Sequence, residues 1–97
     1  MHVLSAKLSF YLRDSTSLKA KRRIKNSLVD KTRQRFNVAL AEVDTQDSHQ
    51  HLTLGVAVVS ASYSLASESL QNIIRFMDSQ HEYELVETIY STPLKLD

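Results

Sequence analysis

Residues 3–12, Val-Leu-Ser-Ala-Lys-Leu-Ser-Phe-Tyr-Leu, alternate strictly between two sets of side chains. One set is wholly apolar: Leu4, Ala6, Leu8, Phe10 and Leu12. The other set is smaller or polar: Val3, Ser5, Lys7, Ser9 and Tyr11. Because successive side chains of a strand point to opposite faces, the alternation predicts a strand with one face in the core and the other uncovered.

The hydrophobic period changes from two to that of a helix just downstream. The segment Ser15-Thr16-Ser17 supplies hydroxyl oxygens suited to a helix N-cap. The apolar stripe that follows contains Leu18, Ile24, Leu28, Thr32 and Phe36. These residues share one face of a helix, so the pattern predicts a helix over 18–36.

The remaining chain reads as strands over 38–43, 52–60 and 83–92 and a helix over 65–79, with a polar turn at 44–50. Residues 52–60 are apolar or small on both faces, which favours a central strand. The order βαββαβ with right-handed crossovers predicts an α+β, ferredoxin-like sandwich. Four antiparallel strands would lie in the order 4-1-3-2, with both helices on one face.

The length and composition of the chain exclude several classes of function. The 97 residues are enough for a single domain, 1–97, with 92–97 a short C-terminal tail. The lack of cysteine excludes disulfides and thiolate sites, and a single glycine excludes P-loop and dinucleotide motifs. No nucleophile elbow is present, so we expect neither enzyme activity nor a cofactor. No segment is apolar enough to span a membrane, and a cytoplasmic location is expected.

The net charge of +1 conceals a strong charge asymmetry along the chain. Residues 13–35 hold nine basic and two acidic side chains, for a net charge of +7. The rest of the chain holds three basic and nine acidic side chains, for a net charge of −6. Such asymmetry bears on binding partners more than on fold.

The basic charges are concentrated on the first helix, where like-charge pairs four residues apart disfavour it slightly. A polyanion bound from outside would offset that cost. A helical projection puts Lys19, Arg22, Arg23, Asn26 and Arg33 on the solvent face, and Lys21, Lys25 and Arg35 nearer the core edge. The candidate phosphate- or RNA-binding residues are therefore Ser17, Lys19, Lys21, Arg22, Arg23 and Arg33. Ordinary surface charge, paired with acids elsewhere, is the alternative.

The uncovered sheet face carries small and apolar residues and only one aromatic, Tyr11, at a strand end. An RNA-recognition domain of this fold would stack bases on several aromatics there, so that mode is disfavoured. A face of this kind suits a partner sheet, and a homodimer is the commonest such assembly. A monomer with a bare sheet is the alternative.

The polar turn collects carboxylates and imidazoles. Asp47, His49 and His51 are weak candidates for metal ligands, since no established ligand spacing supports them. The simpler interpretation is that Glu42 and Asp47 anchor the turn by accepting backbone N–H groups.

Two blocks, Ser17–Ile24 (SLKAKRRI) and Arg35–Val43 (RFNVALAEV), followed by Gln46-Asp47 and Thr53–Ala57, resemble the YlxP-like family, also called domain of unknown function 503. The resemblance covers about residues 3–90. It implies a ferredoxin-like fold and a suspected link to RNA or the ribosome, and it assigns no catalytic residue. The motif residues are Ser17, Leu18, Lys19, Lys21, Arg22, Arg23, Asn37, Glu42 and Asp47. His49 and His51 replace a Trp and an Arg common in the family, so any contact made there is altered.

The sequence thus leads to one main hypothesis, a small cytoplasmic RNA- or ribosome-associated factor that binds phosphates through its basic helix. The alternative is a homodimeric structural or protein-interaction module with no nucleic-acid role. A metal-dependent enzyme built on the 42–51 hairpin is a third and weaker hypothesis.

Overall fold

The computed structural model describes all residues from Met1 to Asp97. Five strands and two helices follow one another along the chain. They are β1 (His2–Tyr11), α1 (Leu18–Arg35), β2 (Ala39–Asp44), β3 (His51–Ser60), α2 (Tyr63–Asp78), β4 (Glu84–Tyr90) and β5 (Leu94–Lys95). The predicted order βαββαβ is confirmed, with β5 as an addition.

The strands form one antiparallel sheet in the order β2-β3-β1-β4, which is the predicted 4-1-3-2 order read from the other edge. β1 pairs with β3 along its whole length, from His2 opposite Ser60 to Tyr11 opposite His51. On its other side β1 pairs with β4. The α+β, ferredoxin-like architecture is therefore confirmed.

Both helices begin at serine caps. Ser17 has an extended backbone, and its side chain accepts a hydrogen bond from the Ala20 N–H at 3.0 Å. Ser62 does the same for Leu65 at 3.3 Å. A serine oxygen at this position satisfies an N–H that has no partner within the helix, which is why a serine is favourable at both starts.

One apolar core lies between the helices and one face of the sheet. The apolar set of β1 is buried, with Leu8 and Phe10 fully inaccessible. The helices contribute Ile24, Leu28, Leu70 and Ile73 to the same cluster, among others. The opposite face of the sheet has no covering element. Neither helix is long and apolar enough to cross a membrane.

The end of the chain differs from the predicted tail. β4 ends at Tyr90, and β5 pairs again with the start of β1, Leu94 opposite Val3 and Lys95 opposite His2. Pro93 lies in the interruption, where a residue without an N–H cannot continue the ladder. β1 is thus flanked on both sides for nearly its full length.

Candidate functional site

The predicted basic face is present on α1. Four cationic side chains lie on the exposed side of the helix, away from buried Ile24. We call them the basic face: Lys19, Arg22, Arg23 and Arg33. From the first to the last, the helix rises about 21 Å at 1.5 Å per residue. The face is therefore a stripe, long enough to meet several phosphates of one strand.

Most bases of α1 have no acidic partner within the chain. The helix holds eight, and only Lys21, Arg23 and Lys25 lie within 4.0 Å of a carboxylate. The Arg23–Glu82 pair is long, at 3.7 Å, and exposed on both sides. Exposed pairs of this kind contribute about 0–1 kcal/mol. The five bases without a carboxylate at this distance are Lys19, Arg22, Lys31, Arg33 and Arg35.

Lys21 corrects the sequence analysis, which counted it among the phosphate ligands. Its side chain is only 4% exposed, and its Nζ donates hydrogen bonds to the carbonyl oxygens of Thr45 at 2.6 Å and Ser48 at 2.7 Å. Its third neighbour is Glu42 Oε2, at 2.9 Å. The two carbonyls take two of the three ammonium donors, and the ion pair with Glu42 balances the charge. Lys21 binds the β2–β3 turn and is buried, so it is not accessible to a phosphate.

Glu42 is also different from its predicted role. The sequence predicts that Glu42 accepts backbone N–H groups in the turn, but its carboxylate faces α1 instead. Oε2 pairs with Lys21, and Oε1 lies 4.0 Å from Lys25 Nζ. This carboxylate therefore joins β2 to the helix and balances the charge of buried Lys21 within the fold.

Two other candidates are partly engaged. Ser17 Oγ already serves as the helix cap, so a phosphate there could use only its hydroxyl proton and the first N–H groups of the helix. Arg33 Nη2 donates to the Leu40 carbonyl at 3.0 Å, which fixes the guanidinium beside β2. The remaining guanidinium donors of this exposed residue are free to contact an anion.

The turn residues do not assemble a metal site. No group of three or more His, Asp or Glu side chains in the chain is close enough to hold an ion, so Asp47, His49 and His51 are not brought together. His51 Nδ1 lies 3.0 Å from Ser48 Oγ, and its ring centroid lies 5.8 Å from that of Tyr11. These contacts place His51 in the structure of the strand end.

The open sheet face is small and apolar, as predicted. Register places Ala39, Ala57 and Ser5 in one row and Ala41, Gly55 and Lys7 in the next. A shallow hollow of about 490 Å³ lies over these rows. Gly55 lines the hollow at a position with no space for a side chain, because a Cβ there would lie 2.9 Å from Cγ1 of Val43. Val59, exposed by 64%, extends the apolar surface beyond the hollow.

A second basic feature was missed by sequence reasoning. An open groove of about 500 Å³ lies between the last turns of α1 and α2. It is lined by Arg35, Phe36, Asn72, Arg75, Phe76 and Ser79. Phe36 belonged to the predicted core stripe, and Arg75 lies far from the basic segment in sequence. Only the approach of the two helix ends places them together, so no local pattern could reveal the groove.

Comparison with known proteins agrees with the motif resemblance. The model of the family described as "Protein of unknown function (DUF503)" matches residues 3–89. The chain is also 35% identical over 71 residues to the "Uncharacterized protein YlxP" of Bacillus subtilis (strain 168), covering 73% of this chain and 77% of the relative. The match includes the basic helix, the turn and the strands of the open face. The chain therefore belongs to the DUF503 family, the YlxP-like proteins that its sequence motifs resemble.

Proposed function

We propose that this protein is a small cytoplasmic RNA- or ribosome-associated factor that binds phosphates through the basic face of α1. The observation that carries the proposal is the charge balance of that helix. Lys21 is paired with Glu42 inside the fold, whereas Lys19, Arg22 and Arg33 are exposed and have no carboxylate within 4.0 Å. A polyanion would supply the missing countercharge.

The expected binding mode is largely independent of sequence. Phosphate contacts fix position and orientation but carry no base information. The open sheet face offers no row of stacking aromatics, since Tyr11 is the one aromatic of β1 on that side and its ring lies beside His51. The role is therefore binding, with no residue assigned to catalysis.

The first experiment is a binding measurement with a double variant. A fluorescent 12-nucleotide single-stranded RNA is titrated with the protein and with Arg22→Ala/Arg23→Ala, and anisotropy reports the affinity. We expect the double variant to bind at least about tenfold more weakly, because two phosphate contacts are lost. The matched control is Arg13→Ala, an exposed arginine outside α1 that pairs with Glu84 at 3.7 Å. Equal affinity of the double variant and the control would contradict the proposal.

A second candidate function, a homodimeric interaction module, is favoured by the open sheet face. The exposed apolar rows around Ala57 and Val59 would be covered if two sheets packed face to face. Sedimentation equilibrium tests this candidate directly. A dimer that dissociates in Ala57→Arg supports it, and a monomer at all concentrations argues against it. Co-purification of a protein that survives nuclease treatment would favour an interaction role over RNA.

A further inference from the structure

In the groove between the ends of α1 and α2, Arg35 lies beside two aromatic rings. The guanidinium carbon of Arg35 lies 5.0 Å from the ring centroid of Phe76 and 6.0 Å from that of Phe36. The two rings meet edge to face at 5.7 Å. Arg35 therefore makes cation–π contacts with two aromatic rings, while its residue remains exposed to solvent. A guanidinium group is planar, so a planar ligand can stack on it.

Arg75 is the second cation of the groove. Its Nη2 donates to Asn72 Oδ1 at 2.6 Å, a side chain one turn earlier on α2. The remaining donors of the guanidinium are free, and the residue is exposed. Arg75 thus has donors suited to a phosphate.

The charge of the groove is not balanced within the protein. No acidic side chain lines it, and neither arginine lies within 4.0 Å of a carboxylate. The C-terminal ends of the two helices contribute roughly half a negative charge each. Two guanidinium groups exceed that by about one charge. The groove therefore matches a ligand that combines a negative charge with a flat ring.

We propose that this groove holds one nucleotide of a single-stranded RNA, with the base stacked on Arg35 and the phosphate bound by Arg75. The inference deepens the proposed function, on which it rests, by assigning a preference for single strands over duplexes. In a duplex the bases are paired and stacked on each other, so the stacking contact on Arg35 is lost. In a single strand the groove adds one stacking contact.

The test compares two probes of equal length, a single-stranded 12-nucleotide oligouridylate and a blunt 12-base-pair RNA duplex. Arg35→Lys keeps the charge but removes the planar group, and Arg75→Gln removes the guanidinium. We expect each variant to bind the single strand about tenfold more weakly, in line with the loss of one stacked or anchored nucleotide. Duplex affinity should change by less than about twofold in Arg35→Lys. The matched control, Arg13→Lys, should leave both affinities unchanged.

A second readout locates the contact without any substitution. Addition of the oligouridylate should shift the backbone amide resonances of Asn72, Phe76 and Ser79 in a ¹H–¹⁵N correlation spectrum. Unchanged resonances there, or a single-strand affinity unaltered in Arg35→Lys and Arg75→Gln, would overturn the groove proposal. The groove proposal would also be overturned if hexaglutamate shifted the groove resonances and RNA did not, since that result identifies an acidic peptide as the ligand.

The two proposals fail in different ways. If Arg22→Ala/Arg23→Ala weakens binding of both probes and the groove variants do not, the basic face stands and the groove proposal is wrong. If the groove resonances shift with the single strand while the basic-face variant binds both probes normally, the groove proposal stands and the proposed use of the basic face fails.

Discussion

Lys21 Nζ lies 2.9 Å from Glu42 Oε2, and both side chains are largely buried, 4% and 17% exposed. The lysine comes from the most basic segment of the chain, yet it acts within the fold. It joins α1 to β2 through Glu42 and to the β2–β3 turn through the Thr45 and Ser48 carbonyls. The basic helix is thereby positioned rigidly on the sheet, with its other cations left at the surface.

Replacement of Lys21 should affect stability far more than binding. Lys21→Met keeps the aliphatic stem but leaves the Glu42 carboxylate buried with only Lys25, at 4.0 Å, as a cationic neighbour. Loss of one partner of a buried pair predicts a decrease of about 3 kcal/mol in the free energy of unfolding. Urea denaturation measures this value.

The matched test of that pair is the variant Lys21→Met/Glu42→Leu. Since it removes both charges together, its loss of stability should be smaller than the sum of the single losses by at least about 1 kcal/mol. Strictly additive losses, or a single-variant loss below about 0.5 kcal/mol, would show that the pair has no role in the fold. Under conditions where Lys21→Met is folded, it should bind RNA with the same salt dependence as the unaltered protein.

Two substitutions of the helix cap Ser17 should have different effects on stability and on RNA affinity. Ser17→Ala removes the acceptor for the Ala20 N–H and should lower stability by about 1 kcal/mol. Ser17→Asp keeps an acceptor and adds a negative charge where the helix dipole favours it, so stability should be retained. The same charge, close to Lys19, should reduce RNA affinity by about two- to threefold. Thermal unfolding and anisotropy measure the two effects, and equal RNA affinity of Ser17→Asp would argue against phosphate binding near the helix start.

Because Tyr83 is buried, the stability of the protein should fall at alkaline pH. Tyr83 is 9% exposed, its ring packs edge to face on Phe10 at 5.1 Å, and its hydroxyl has no hydrogen-bond partner. Burial raises the pKa of Tyr83 well above its usual value, and the charges of Glu82 and Asp78 raise it further. Above pH 10 the unfolded chain therefore releases this proton more readily than the folded chain, so the stability present below pH 10 is lost as pH rises.

The corresponding variant is Tyr83→Phe. It removes a buried hydroxyl without a partner, so stability at neutral pH should be unchanged or higher by about 1 kcal/mol. Its loss of stability between pH 9 and 11 should be shallower than that of the unaltered protein. Tyr63→Phe, at an exposed residue, is the control and should keep the original slope. A clear destabilisation in Tyr83→Phe at neutral pH would mean that the hydroxyl has a partner in solution.

Local patterns were sufficient for the main elements of the fold. Strict alternation in residues 3–12 and the helical stripe from Leu18 predicted β1 and α1 to within one residue, because burial of one face determines both. The hydroxyl-rich segment Ser15–Ser17 located the start of α1 for the same local reason, whereas α2 begins at Tyr63, two residues before its predicted start. β5 was missed, since two residues after Pro93 carry no periodic signal and pair with β1 only because β4 has already aligned the chain.

The functional surface was less predictable. A helical projection separates solvent-facing from core-facing positions, so Lys19, Arg22, Arg23 and Arg33 were placed correctly at the surface. It placed Lys21 only at the core edge, since its burial depends on the Thr45 and Ser48 carbonyls of a distant turn. The Arg35–Phe76 contact likewise joins residues 41 positions apart, which only tertiary packing brings together.

The most direct test of the proposed function is the salt dependence of RNA affinity. The apparent association constant for the single-stranded 12-mer is measured from 50 to 300 mM KCl for the protein and for Arg22→Ala/Arg23→Ala. With about four phosphates contacted, the log–log slope should be near −3, and the double variant should show about half of it. A flat response, or the same slope in both proteins, would contradict phosphate binding by the basic face.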